Sequence, residues 1–163
     1  MIVDVQKGVF KFKQPVYNED ILVSNLKQVI NSAKRKNIKI IYVQHENDSF
    51  LKKGSEEWEI IDDIKPITDE NHIFHKKFPS AFKETDLLDY LKQEGVDKIY
   101  VAGLISNGCV KETCLDGLNK HFEIVLISDA HSTFYKDADK IIHETNEEME
   151  SKGATLQKCS ELW

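Results

Sequence analysis

Ile99-Tyr-Val-Ala-Gly-Leu-Ile-Ser-Asn-Gly-Cys-Val-Lys-Glu-Thr-Cys-Leu-Asp-Gly117 decides the fold. It opens as an apolar strand, Ile99 to Ala102. It breaks at Gly103, turns through Ser106-Asn107-Gly108 and restarts as a helix expected over Cys109 to His121. A strand that is apolar on both faces and runs straight into a helix is the unit of a parallel sheet covered on both sides. A helix start presents unpaired N–H groups and a partial positive charge. Both favour thiolate over thiol at Cys109, and the N–H groups are suited to an oxyanion.

The same unit recurs on either side. Apolar runs at Met1–Val5, Lys39–Gln44, Asn71–His75, Lys98–Ala102, Glu123–Ser128 and Gly153–Leu156 read as six strands. Helices are expected at Ile21–Lys36 with Asn18 as N-cap, at Asp86–Glu94 closed by Gly95, and at Ala138–Ser151. Ile21, Leu22, Leu26, Val29, Ile30 and Ala33 form the apolar stripe of the first. Residues 7–18 and 46–71 read as loops, and a connection as long as the second is usually functional. The fold expected is three-layer α/β/α, with a mostly parallel six-stranded sheet, in a single domain spanning residues 1–163. The first strand looks clipped for a central position, so either it is short or a few leading residues precede it.

Of 163 residues, 28 are acidic and 22 basic, giving a net charge of −6. Arg35 is the only arginine, and the lysines are interspersed with acids, which argues against a nucleic-acid partner. No run is long and apolar enough for a membrane span. Three cysteines without framework spacing, and an N-terminus with no signal-like region, point to free thiols in the cytoplasm.

Ligands of open α/β sheets bind beyond the carboxyl ends of the strands. There the sequence places Asp4 and Gln6, Gln44 and His45, His75 and Lys76, Cys109, and Asp129 and His131. A cysteine nucleophile needs a base and a charge partner. Asp4 can be the base, and Lys76 the fixed charge that lowers the thiol pKa. Cys114 lies about 140° round the helix from Cys109 and should face away.

Asp4-Val-Gln6, Lys76-Lys-Phe-Pro-Ser-Ala-Phe82, Gly103-Leu-Ile-Ser-Asn-Gly-Cys-Val110 and Asp129-Ala-His-Ser-Thr133 together resemble the isochorismatase-like cysteine hydrolases, nearly end to end. That family includes nicotinamidases and N-carbamoylsarcosine amidohydrolases. The resemblance implies a catalytic triad of Asp4, Lys76 and Cys109. Lys76 is preferred to Lys77 because the family's lysine stands four residues before the serine of Ser-Ala-Phe. It also implies a cis, non-proline peptide at Leu104–Ile105, an oxyanion pocket formed by the Ile105 and Cys109 N–H groups, and a homo-oligomer. Ser106 keeps the hydroxyl of the family's usual threonine. True isochorismatases lack the cysteine, so Cys109 points to covalent acyl chemistry on a small amide, ureido or related C–N bond. Nicotinamidases carry an Asp-x-His metal motif with a further histidine. Gln44-His45-Glu46-Asn47-Asp48 is followed by no histidine until His72, which argues against nicotinamide and for a metal-free, cofactor-free site. Gln6, Phe10, His45, Trp58, Phe82, Ser106 and His131 are the candidate wall of the substrate pocket.

The alternative is a non-enzymatic small-molecule or partner-binding module on the same fold. A redox protein of flavodoxin-like shape is disfavoured, since Cys-x-x-Cys and a glycine-rich phosphate loop are both missing.

Overall fold

The computed structural model describes residues 1–66 and 72–162. Its strands are β1 (Ile2–Val3), β2 (Ile41–His45), β3 (His72–Lys76), β4 (Lys98–Leu104), β5 (Glu123–Ser132) and β6 (Thr155–Gln157). They form one sheet in the order β3-β2-β1-β4-β5-β6, with every neighbouring pair parallel. The helices are α1 (Lys7–Phe10), α2 (Glu19–Arg35), α3 (Leu87–Gln93), α4 (Lys111–Asn119) and α5 (Ala138–Ser151).

Alternation along the strands splits the apolar residues between two cores. Ile2, Tyr42, Ala102 and Ile127 pack with Leu22, Leu26, Val29 and Ile30 of α2 on one face. Val3, Ile41, Val43, Val101 and Leu126 pack with Leu87 and Leu91 of α3, Cys114 of α4 and Met149 of α5 on the other. No described helix is long and apolar enough to cross a membrane.

Several boundaries differ from expectation. The segment after β1 is not all loop: Lys7–Phe10 makes one helical turn, burying Val9. Helix α2 begins at Glu19, with Glu19 and Asp20 in the first turn and Lys34 and Arg35 in the last, matching the helix dipole. Asn18 precedes it in the left-handed region and makes no side-chain cap, so its role is the turn and not the cap. Ile21 sits off the buried stripe, 58% exposed. Helix α3 ends as expected at Gly95, where the Gly95 and Val96 N–H groups reach back to Lys92 O and Leu91 O in a Schellman turn. The long connection is irregular over residues 46–66. Residues 67–71, including the expected strand start at Asn71, lie outside the described residues.

The largest departure is after β4. Ser106–Val110 forms a wide π-helical turn with Gly108 in a non-helical conformation, and the regular helix starts only at Lys111. Cys109 therefore sits inside the turn and not at the first residue of a clean α-helix.

Two features fix the sheet where it matters. Gly103, at φ +126°, lies so close to β1 that a Cβ would stand 2.1 Å from the Val3 carbonyl oxygen. Only glycine fits there. Between β4 and β5 the register slips: three residues of β4, Val101 to Gly103, face six of β5, Leu126 to His131. The bulge brings His131 alongside Gly103.

Candidate active site

The chain runs β1-β2-β3 to one side of the sheet, then crosses to build β4-β5-β6 on the other. The switch lies between β1 and β4, which is where α/β sheets open a crevice. Asp4 follows β1 directly, at φ +50°, with its N–H donating to Val43 O. Lys76 ends β3, in register with His45 at the end of β2. Cys109 comes from the turn after β4, following a cis peptide at Leu104–Ile105. Three stretches distant in sequence thus converge on one point, where one carboxylate oxygen of Asp4, one ring nitrogen of His45 and Cys109 Sγ lie within 4.8 Å of one another.

Lys76 holds the cluster together. Its side chain is fully buried, and Nζ donates to Asp4 Oδ2 at 2.6 Å, Phe78 O at 3.1 Å and His45 Nδ1 at 3.2 Å. An ammonium has three protons and no acceptor, so all three are used and His45 Nδ1 must be the unprotonated nitrogen. Burial, reinforced by the Lys76 charge, pushes the His45 pKa down and keeps the ring neutral. Lys77 points the other way, 73% exposed, with Glu46 at 3.6 Å.

Asp4 Oδ1 is buried and has no hydrogen-bond partner among the described residues. The Cys109 thiol beside it is pushed up to about 12, first by burial and then by the Asp4 charge, while Lys76 acts in the opposite sense. The preference for thiolate expected from a helix start and from Lys76 is outweighed here. Lys76 lowers the thiol pKa as anticipated, but desolvation and a carboxylate outweigh it. The sulfur thus rests as a thiol next to a buried carboxyl group with one oxygen bonded to Lys76 and the other unpartnered among the described residues.

A cavity of about 190 Å³ opens onto the cluster. Asp4, His45, Cys109 and Asn47 form its polar end. Val9, Phe50, Leu51, Leu104, Ile105 and Phe134 form the apolar remainder.

The model of the isochorismatase domain matches residues 1–157. The chain belongs to the isochorismatase family. It is 31% identical over 137 residues to the uncharacterised isochorismatase family protein YrdC of Bacillus subtilis, covering 82% of this chain and 73% of that one. It is 23% identical over 152 residues to nicotinamidase 3 of Arabidopsis thaliana, covering 84% and 74%. Its fold matches N-carbamoylsarcosine amidase from Thermoplasma acidophilum with a TM-score of 0.81, at 24% identity, over 98% of this chain and 95% of that one. It carries the isochorismatase-family hydrolase fold.

Within this isochorismatase-family frame, the expected wall residues divide. His45 lines the cavity. Gln6 lies beneath it, fully buried: Nε2 donates to His45 O and Trp58 O, and Oε1 accepts from His45 N. It fixes the end of β2. The other expected wall residues lie elsewhere. Phe10 packs on the α2-side core. Trp58 meets His75 edge to face at 4.9 Å, outside the cavity lining. Phe82 stacks on Phe122 in the opposite core, at 5.8 Å.

Ser106 and His131 form a separate buried chain. Asn146 Nδ2 donates to Ser128 O, which turns Oδ1 toward His131 Nε2 at 2.9 Å. Nε2 must then carry the proton, which leaves Nδ1 as the acceptor for the Ser106 hydroxyl at 2.8 Å. Helix α5 thereby anchors the first residue of the nucleophile turn.

The residues missed were Val9, Asn47, Phe50, Leu51, Leu104 and Phe134. One signal was available. Asn47 opens an Asx turn, its Oδ1 accepting from Ser49 N and Leu51 N, and this turns Phe50 and Leu51 into the cavity.

Asp, His and Cys are also a donor set for a soft divalent cation. The Lys76 ammonium, bonded to two of the three, supplies the positive charge in that place.

Proposed function

We propose that the protein is a cysteine hydrolase of small amide, ureido or related C–N bonds, working through a thioester without a metal. The convergence of Asp4, Lys76 and Cys109 carries the proposal: a carboxylate oxygen of Asp4 lies within 4.8 Å of Sγ, and its Oδ1 has no hydrogen-bond partner among the described residues. The similarity to a nicotinamidase and to an N-carbamoylsarcosine amidase supports it.

The raised thiol pKa shapes the first step. Proton and nucleophile move together: Asp4 Oδ1 takes the thiol proton as Sγ attacks the carbonyl carbon. The carbonyl oxygen becomes an oxyanion held by the Ile105 and Cys109 N–H groups. On collapse the C–N bond breaks, and Asp4 returns the proton to the leaving nitrogen. Water then attacks the thioester, Asp4 takes its proton, the C–S bond breaks and the thiol is restored. Lys76 keeps the Asp4 charge buried and oriented throughout.

The test is amine or ammonia release from a panel of small amides and ureides, with Cys109→Ala as the blank, and intact-mass detection of an acylated Cys109 on rapid quench. Turnover by Cys109→Ala within tenfold of the wild type would overturn the nucleophile assignment.

A further inference from the structure

We propose that the site selects amides whose acyl group is apolar and uncharged, no larger than one six-membered ring, and rejects amides that carry a second, anionic group. This rests on the hydrolase reading and adds a substrate class to it.

The cavity, at about 190 Å³, is below the ~300–1,000 Å³ of pockets for drug-sized ligands. Its walls away from the reacting cluster are six apolar side chains. Two are rings braced by a third: Phe12 lies 4.6 Å from Phe50 and 5.1 Å from Phe134, centroid to centroid. An acyl group entering here gains the burial of apolar surface.

Among the described residues that line the cavity, a carboxylate on the same acyl group finds no counter-charge. The chain's single arginine, Arg35, is bonded to Ser32 at the far end of α2. The three protons of Lys76 are already donated. His45 is held neutral by burial and by Lys76. Of the ion pair beneath the cavity, only Asp4, of the wrong sign, reaches the lining; Lys76 lies behind it. Lys52, Lys53 and Lys77 line a different hollow, with Glu46 and Asp48, that shares only Asn47 with the cavity. Two of these lysines already face Glu46, at 3.8 and 3.6 Å. An anionic acyl group would therefore be desolvated beside a like charge, the costliest kind of burial.

The experiment compares kcat/KM for isobutyramide and benzamide with that for succinamate and maleamate, by ammonia release. The uncharged pair should be favoured by at least about 100-fold, the scale expected for burying an unpaired charge. Phe50 is at the rim and 36% exposed, so Phe50→Lys is compatible with folding. This variant should raise kcat/KM for succinamate at least tenfold and lower it for benzamide. Equal or better turnover of the anionic amides by the wild type would overturn the substrate class and leave the hydrolase intact. If no amide is hydrolysed, calorimetric titration of Cys109→Ala separates the two ideas. Binding of benzamide without binding of succinamate keeps the selectivity and removes the hydrolase, and binding of neither removes both.

Discussion

Replacing Asp4 by Asn should move two properties of Cys109 in opposite directions. Its carboxylate and Sγ lie within 4.8 Å, so at an effective dielectric of about 20 the charge opposes thiol ionisation by about 3.5 kcal/mol. Removing it should lower the thiol pKa by about 2.5 pH units from its present position near 12. The Asn carbonyl, Phe78 O and His45 Nδ1 can still accept the three hydrogen bonds of the Lys76 ammonium. The thiolate fraction at pH 7.5 then rises about 300-fold. A more acidic thiol is a weaker nucleophile, with a Brønsted slope of about 0.5, which leaves a net gain of about 10- to 30-fold in alkylation rate. Turnover should fall by about 10²–10⁴-fold in kcat, with KM little changed, because the lost group acts in the transition state. The assay pairs iodoacetamide labelling, mapped to Cys109 by mass, with steady-state kinetics on the same folded preparation. A folded Asp4→Asn variant that alkylates no faster than the wild type would refute both the electrostatic account of the thiol and the role of Asp4 as its base.

Lys76→Ala should raise the thiol pKa further and destabilise the protein by about 3–5 kcal/mol, since it strands a buried carboxylate. Lys77→Ala should change stability by less than about 0.5 kcal/mol and leave alkylation alone; urea denaturation and labelling rates compare the two. Burial lowers the pKa of His45 and His131 in the folded state, so the unfolded chain binds protons first. Stability should therefore be flat above pH 6.5 and fall below it, at up to about 1.4 kcal/mol per pH unit per histidine. Urea midpoints between pH 7.5 and 5.5 should show this, and His131→Gln should flatten the slope; an unchanged slope would exclude His131 as a source. Gly103→Ala should prevent stable folding, because its Cβ meets the Val3 carbonyl oxygen at 2.1 Å, and soluble yield with circular dichroism reads this. Stripping with a strong chelator, checked by elemental analysis, should leave turnover unchanged; loss on stripping and recovery with zinc, manganese or iron would overturn the metal-free mechanism.

Continuous apolar runs such as Glu123–Ser128 and Lys98–Ala102 made the parallel sheet legible, because a strand buried on both faces has no polar alternation to confuse it. The cluster was legible for the same reason: strand ends of a parallel sheet share one edge, so Asp4, Lys76 and Cys109 could be placed together without knowing their distances. What remained hidden depended on three-dimensional neighbours. Asn18 has the chemistry of a cap, but its left-handed backbone turns the side chain away from one. Phe82 follows a motif that leads to the site, yet its ring belongs to the opposite core beside Phe122. The thiol pKa could not be read from a helix start, since the outcome rests on how fully Cys109 is desolvated and how near Asp4 stands. The cavity wall comes from loop residues, Phe50 and Phe134, whose directions are set by an Asx turn and by the exit from β5.

Strand β1 has only two residues, and its partners on β2 and β4 are about 40 and 100 positions away in sequence. Contacts so distant in sequence form late, after the loop-closure entropy has been met. Ile2 and Val3 are fully paired only when both flanks are in place, so docking of this short central strand is expected to close the sheet last. Asp4 follows it directly. During refolding Cys109 should pass from a reactive, solvated sulfur to a shielded one when that strand docks, and the time at which it resists pulse alkylation becomes a clock for the final step of assembly.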